Sequence, residues 1–171
     1  GYRYDSSLLP SPPYYLAKAA VMGLLRLQGK KSGAKLHPIR SVLGPTTPYP
    51  VAPETPWAPS HDPDPAVSGS RLRELPISVT PGARIPIIGT TLSLARPPLT
   101  WYLRWGARRQ AFLNSACHAI DLVDATRDEL PKALLKKQPD LQVPLDEKKR
   151  RLEAFLRELK STHEFCRLDS L

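Results

Sequence analysis

Residues 10–31, PSPPYYLAKAAVMGLLRLQGKK, decide how the chain is read. Ser11 is a good N-cap, and Pro12 or Pro13 suits the first helical position, where the missing N–H costs nothing. Gly29 is placed to stop the helix, and Lys30 and Lys31 complement its negative end. The roughly sixteen residues between are apolar nearly all round, broken by Lys18, Arg26 and Gln28. Such a helix is about 24 Å long, short of a bilayer's hydrocarbon thickness. Apolarity on every side means that something must bury it. That cover is either its own domain or a neighbour, and a membrane edge with Lys18 and Arg26 snorkelling is one form of neighbour. Tyr14, Tyr15, Leu16, Val21, Leu24 and Leu25 are the candidate docking residues.

Working outward, the basic residues crowd around this helix. The chain of 171 residues carries a formal charge of +9, and residues 1–50 hold seven bases against one acid. Lys30, Lys31 and Lys35, with His37 and Arg40 following, form a run that can meet anionic headgroups, acidic neighbours or RNA phosphates. Arg108 and Arg109 are a second basic pair of the same kind. The chain opens on Gly1 rather than methionine, which fits removal of a leader, and the basic balance fits an organellar destination.

Beyond the basic run, proline dominates. Twenty prolines in 171 residues is far above ordinary usage, and eight of them fall in residues 45–65. Proline has no N–H to give to a helix or central strand, so this part reads as an extended polyproline-type strap anchored by Tyr49 and Trp57. Its PxxP spacings also suit an aromatic groove of the SH3 kind, although residues 51–70 hold no Lys or Arg to flank them. Residues 76–95 are the strand-like part. Pro81-Gly82 fits a type II turn, so Ile77–Thr80 and Ala83–Ile88 are expected to pair as a hairpin.

From Pro97 the spacing becomes helical. Trp101, Trp105, Phe112, Ala116, Ala119, Ile120 and Val123 recur at three- and four-residue steps. A last helix begins near Pro144, with a seam of Leu145, Leu152, Phe155, Leu156, Leu159 and Cys166. Its expected i,i+4 pairs are Asp146–Arg150, Glu147–Arg151 and Glu153–Arg157. Folding 98–130 back on 145–166 gives an antiparallel helical hairpin. The fold class is therefore mainly α with extended Pro-rich segments. Residues 1–35 are the apolar helix and basic run, 36–96 the strap with a small β-hairpin at 76–95, and 97–171 the helical hairpin.

Little in the chain promises chemistry. A hairpin would bring Cys117 and His118 near His163 and Cys166, a set able to bind zinc or to form a disulfide, but two ordinary buried thiols are the simpler expectation. Adjacent Cys117 and His118 point about 100° apart on a helix, which is poor geometry for one metal. His61, Asp62 and Asp64 form a polar turn with too few ligands for calcium. The phosphate-binding loop, the nucleophile elbow and the H-E-x-x-H motif are all absent. No catalytic residue, metal or cofactor is expected.

Three functional expectations follow. The first is a non-catalytic accessory subunit of a large mitochondrial inner-membrane energy-converting complex, either the respiratory chain or the ATP synthase. Such a subunit would sit on the matrix side or at the membrane, touch other protein subunits and meet anionic lipid peripherally. It would dock through the Tyr14–Leu25 residues with Trp57, Trp101 and Trp105, and its bases Lys30, Lys31, Lys35, Arg40, Arg108 and Arg109 would meet headgroups or acidic partners. The second is a mitochondrial ribosomal protein using the same bases, with Arg104, on rRNA. The third is a PxxP-bearing adaptor.

Overall fold

The computed structural model describes residues 3–29, 39–52, 55–59 and 72–170, and its contacts group the chain into two units, Gly1–Pro86 and Ile87–Leu171. The whole is mainly helical with one small sheet. No helix among the described residues is long and apolar enough to cross a membrane.

In the first unit, α1 (Pro12–Leu27) starts and stops where its end residues dictate. The buried Ser11 hydroxyl accepts from the Tyr14 N–H (3.4 Å) and donates to the Arg84 carbonyl (2.7 Å), so the cap also ties the helix to the rest of its unit. Gly29 takes a positive φ of 70°, which glycine adopts without strain. A short helix, α2 (Ile39–Val42), precedes the sheet.

The strands are β1 (Tyr4–Asp5), β2 (Tyr49–Ala52), β3 (Thr55–Pro59) and β4 (Arg73–Glu74), in the order β1-β4-β2-β3. β1 runs parallel to β4, and β2 pairs antiparallel with both β4 and β3. Leu8, Tyr49 and Val51 form the core beside this sheet, with Leu72 packed on it.

Two expectations fail here. The sheet is built partly from the Pro-rich stretch, not from residues 76–95. Pro56 and Pro59 fit because β3 is an edge strand, where a missing donor goes unnoticed. Pro50 fits because the next residue, Val51, makes the bond to Leu72 (3.0 Å), so alternation points the proline nitrogen away from β4. The expected hairpin shrinks to its turn. Gly82 has the positive φ (71°), but pairing across it amounts to one bridge, Val79 to Pro86, and residues 89–94 are helical. The Thr80 side chain takes up the slack by accepting from the Ile85 N–H (3.0 Å).

The second unit contains α3 (Gly89–Leu94), α4 (Leu99–Arg108), α5 (Lys132–Leu135) and α6 (Leu145–Leu159), with 3₁₀ turns at Ala119–Leu122, Pro139–Gln142 and Leu168–Ser170. Leu92, Leu103, Ala107, Leu141, Phe155 and Leu159 are buried. The helical hairpin is only half formed. α4 begins after Pro97-Pro98, as its prolines suggest, but ends at Arg108 instead of running to residue 130. Past Gln110 the chain has better partners outside a helix. Ser115 Oγ donates to the Ile87 carbonyl (2.8 Å), and the Gly89 N–H donates to the Ala116 carbonyl (3.0 Å).

Buried polar groups hold these pieces in place. The Asp124 carboxylate accepts from the N–H groups of Thr126 (2.7 Å), Arg127 (2.8 Å) and Leu145 (2.5 Å), and so caps α6, whose preceding Pro144 has no polar side chain to do so. These bonds, with that from the Thr126 hydroxyl first, hold the Asp124 carboxyl well below the usual carboxylate range. Lys148 Nζ is buried, bonded to the Val123 carbonyl (2.7 Å) and paired with buried Asp140 (3.7 Å). Asp121 accepts from the Thr90 hydroxyl (2.9 Å) and the His118 N–H (2.8 Å), and a Cβ at Gly89 would collide with its carboxylate.

Of the expected helix pairs, Glu147–Arg151 (2.6 Å) and Glu153–Arg157 (3.6 Å) form. Asp146 turns instead to Arg127 (2.5 Å), and Arg150 shares Glu147 (2.7 Å). Hydrogen bonds from Arg150 and Arg151 pull the Glu147 carboxyl down to about 2.

Candidate functional site

Among the described residues the largest feature without a job in its own fold is the outer face of α1. Only Met22 of this apolar helix is buried. At about 100° per residue, Gly23, Leu16, Leu27, Ala20, Leu24, Ala17 and Val21 follow one another around an arc of about 160° that carries no charge. Its large members are open: Leu27 is 87% exposed, Leu16 70%, Val21 58% and Leu24 57%. Tyr14, in edge-to-face contact with Tyr15 (5.3 Å between centroids), closes the N-terminal end of the face. Gly23 meets nothing around it, so one edge of the arc is low and open to close approach.

The proposed docking residues thus divide. Leu16, Val21, Leu24 and Tyr14 lie on the exposed surface, whereas Tyr15 and Leu25 are half-buried on the Met22 side with Lys18. Leu27, which sequence reasoning passed over, is the most exposed of the set. A helix apolar on all sides gives no periodic signal of which side turns inward, so the sequence offered nothing to separate Leu25 from Leu27.

The second unit has one comparable surface, on α4. This helix buries Leu103, Gly106 and Ala107 and turns Trp101 outward, 63% exposed. Of the two tryptophans expected to dock a partner, Trp101 is therefore on the outer face and Trp105 beside it is half-buried. The Trp101 and Trp105 rings lie 19° from parallel with centroids 6.3 Å apart, and Tyr102 lies 18° from parallel to Trp105 at 5.5 Å. The Arg109 guanidinium sits 4.7 Å from the Trp105 centroid. Arg104 and Arg108 share the Glu158 carboxylate of α6.

Lys30, Lys31 and Lys35 lie outside the described residues, as do the side chains of Arg40 and Trp57 and the acidic turn at 61–64. The cysteines are not the buried pair expected. Both are free and exposed. Burial of its sulfur, then the charge of Asp121, pushes the Cys117 thiol up, which makes it a poor nucleophile near neutral pH. Cys117, His118, His163 and Cys166 are not gathered, because the helix that was to align them ends at Arg108. The His163 ring is occupied by the Gln110 carbonyl (2.8 Å) and the Thr162 hydroxyl (2.9 Å). Among the described residues no three His, Cys, Asp or Glu side chains are grouped to hold a metal ion.

Clefts open in the second unit, and a small one of about 40 Å³ lies beside Gly89, Cys117, Asp121 and Lys148. One of about 180 Å³ between α3, α4 and α6 is lined by Leu103, Arg104, Glu147, Arg151 and Phe155, and Arg151 is already bonded to the Ser93 (2.5 Å) and Ala95 (3.0 Å) carbonyls. Another of about 380 Å³ lies between residues 110–113 and the segment after α6, lined by Phe112, Leu113 and Phe165 and also by Thr162, His163 and Cys166. Comparison with protein-family models, with curated proteins and with solved structures returns no match.

Proposed function

We propose that this chain is a non-catalytic accessory subunit of a large mitochondrial assembly, an inner-membrane energy-converting complex of the respiratory-chain or ATP-synthase type, in which α1 packs against a neighbouring protein subunit. One observation supports the reading above the others: sixteen helical residues with an uncharged outer arc, well capped at both ends, bury a single side chain. Contiguous apolar surface of this kind, along one face of a single helix, is the mark of an interface. The small residues Ala17, Ala20 and Gly23 let a partner helix approach, and Leu16, Leu24 and Leu27 give it something to bury. The basic residues that follow α1 in sequence suit acidic neighbours or anionic headgroups on the matrix side of the membrane.

The test is to isolate the assembly from its source through a tagged full-length chain, native or Leu16→Glu/Leu24→Glu. The native chain is expected to co-fractionate with an inner-membrane complex, and the variant to run free of it with unchanged melting. A native chain that runs alone, or with ribosomal RNA, overturns the proposal.

A further inference from the structure

We propose that the outer face of α4 is a stacking platform for single-stranded nucleic acid, with Trp101 as the open rung and Arg108 and Arg109 as phosphate contacts. The inference concerns the second unit and does not rest on the docking reading of α1.

α4 uses one side for folding. Leu103, Gly106 and Ala107 satisfy the core, so the aromatic residues are not needed there. They form a ladder instead. Arg109 lies on Trp105, and Trp101 and Tyr102 continue from it within 20° of parallel. The ladder ends at Trp101, whose ring is open to solvent. Charge points the same way. The guanidiniums of Arg104 and Arg108 share one carboxylate, Glu158, while that of Arg109 lies on Trp105, and the surplus is positive. A matching ligand extends a flat π-face to Trp101 and brings negative charge to the arginines. A nucleobase with its phosphate supplies both, whereas a lipid headgroup or an acidic peptide supplies charge without a plane.

Labelled oligouridylate and oligothymidylate of about 12 nucleotides are titrated with the full-length chain, with fluorescence anisotropy as the readout. Saturable binding is expected at about 50 mM salt, weakening steeply towards about 200 mM. Trp101→Ala should weaken it about tenfold and Trp101→Phe much less, since a ring remains to stack on. Arg108→Gln/Arg109→Gln should lower the salt slope by about 1.4, about 0.7 for each lost phosphate contact to a single strand. Trp101 is exposed, so its variants keep the native melting curve, which rules out unfolding as the cause. Binding of either oligonucleotide with this response supports the platform. No binding at low salt overturns it, as does binding indifferent to Trp101→Ala, which would belong to the basic residues elsewhere. Capture by phosphatidylcholine–phosphatidylserine vesicles that is lost in Trp101→Ala also overturns it, by making the face a membrane contact. None of these outcomes touches the α1 variants, which are read by co-fractionation.

Discussion

α1 and α6 are nearly the same length, and they divide labour against their composition. α1, sixteen residues with two charges, buries Met22 alone. α6, fifteen residues of which nine are charged, buries Phe155, Leu159 and even Lys148, and its side chains reach α4, Asp140 and the carbonyl end of α3. The difference teaches that a helix's place in this molecule is set by its polar anchors rather than by how much apolar surface it offers. α6 is pinned by specific bonds, and its apolar seam follows. α1 is pinned at its cap by Ser11, and most of its apolar surface is left over.

The comparison can be broken most sharply at Lys148. Lys148→Ala leaves Asp140 as an unpaired buried charge and should cost about 3–5 kcal/mol in denaturant unfolding of the second unit. Lys148→Met with Asp140→Asn should recover most of the loss, and if it does not, α6 is not held by this pair. Next in size, Phe155→Ala should cost about 3 kcal/mol, while Leu27→Ala and Leu24→Ala should stay within about 0.5 kcal/mol in the isolated chain. A large loss at Leu24 or Leu27 would mean that α1 packs within its own unit.

The two units should also answer pH with opposite sign. Burial, then the neighbouring Asp5 charge, pushes the Glu74 carboxyl up in the first unit, against the Leu8 N–H that it accepts (3.0 Å). A raised acid gives stability that is full at low pH and lost as pH rises through its folded value. Asp124 and Glu147 in the second unit are lowered, so their contribution is full above the ordinary carboxylate range, about pH 4, and lost as pH falls below it. Amide exchange, corrected for its intrinsic pH dependence and followed from about pH 2 to about pH 8, should therefore show protection in the first unit falling above about pH 4, and protection in the second unit rising up to about pH 4 and then level. Glu74→Gln should remove the first trend, and Asp124→Asn should weaken the second. A smaller effect is expected at the first unit's cap: Ser11→Ala should cost about 1–2 kcal/mol, because a buried carbonyl loses its donor along with the helix losing its cap.

What could be read from residues alone follows the same division. Ends written in local chemistry were legible: Ser11 and Gly29 bound α1, and Pro97-Pro98 and Pro144 begin α4 and α6. Features set by distant partners were not. Nothing near Arg109 forbids helix, and the chain leaves it because Ile87 and Gly89 offer partners to Ser115 and Ala116. The sheet hid among prolines because an edge strand tolerates them. The apolar stripe of α4 does not by itself say which side turns inward, and only the burial of Leu103 and Ala107 shows it.

Gly89 carries a consequence of its own. Its backbone angle is one any residue adopts, so the position demands glycine for space alone, against a carboxylate that Thr90 and His118 already hold fixed. A single added methyl would unseat Asp121 and strip both of those donors at once. Positions 89 and 121 therefore behave as one locus: a diverged copy of this chain that enlarges the first must shorten the second, and neither can drift alone.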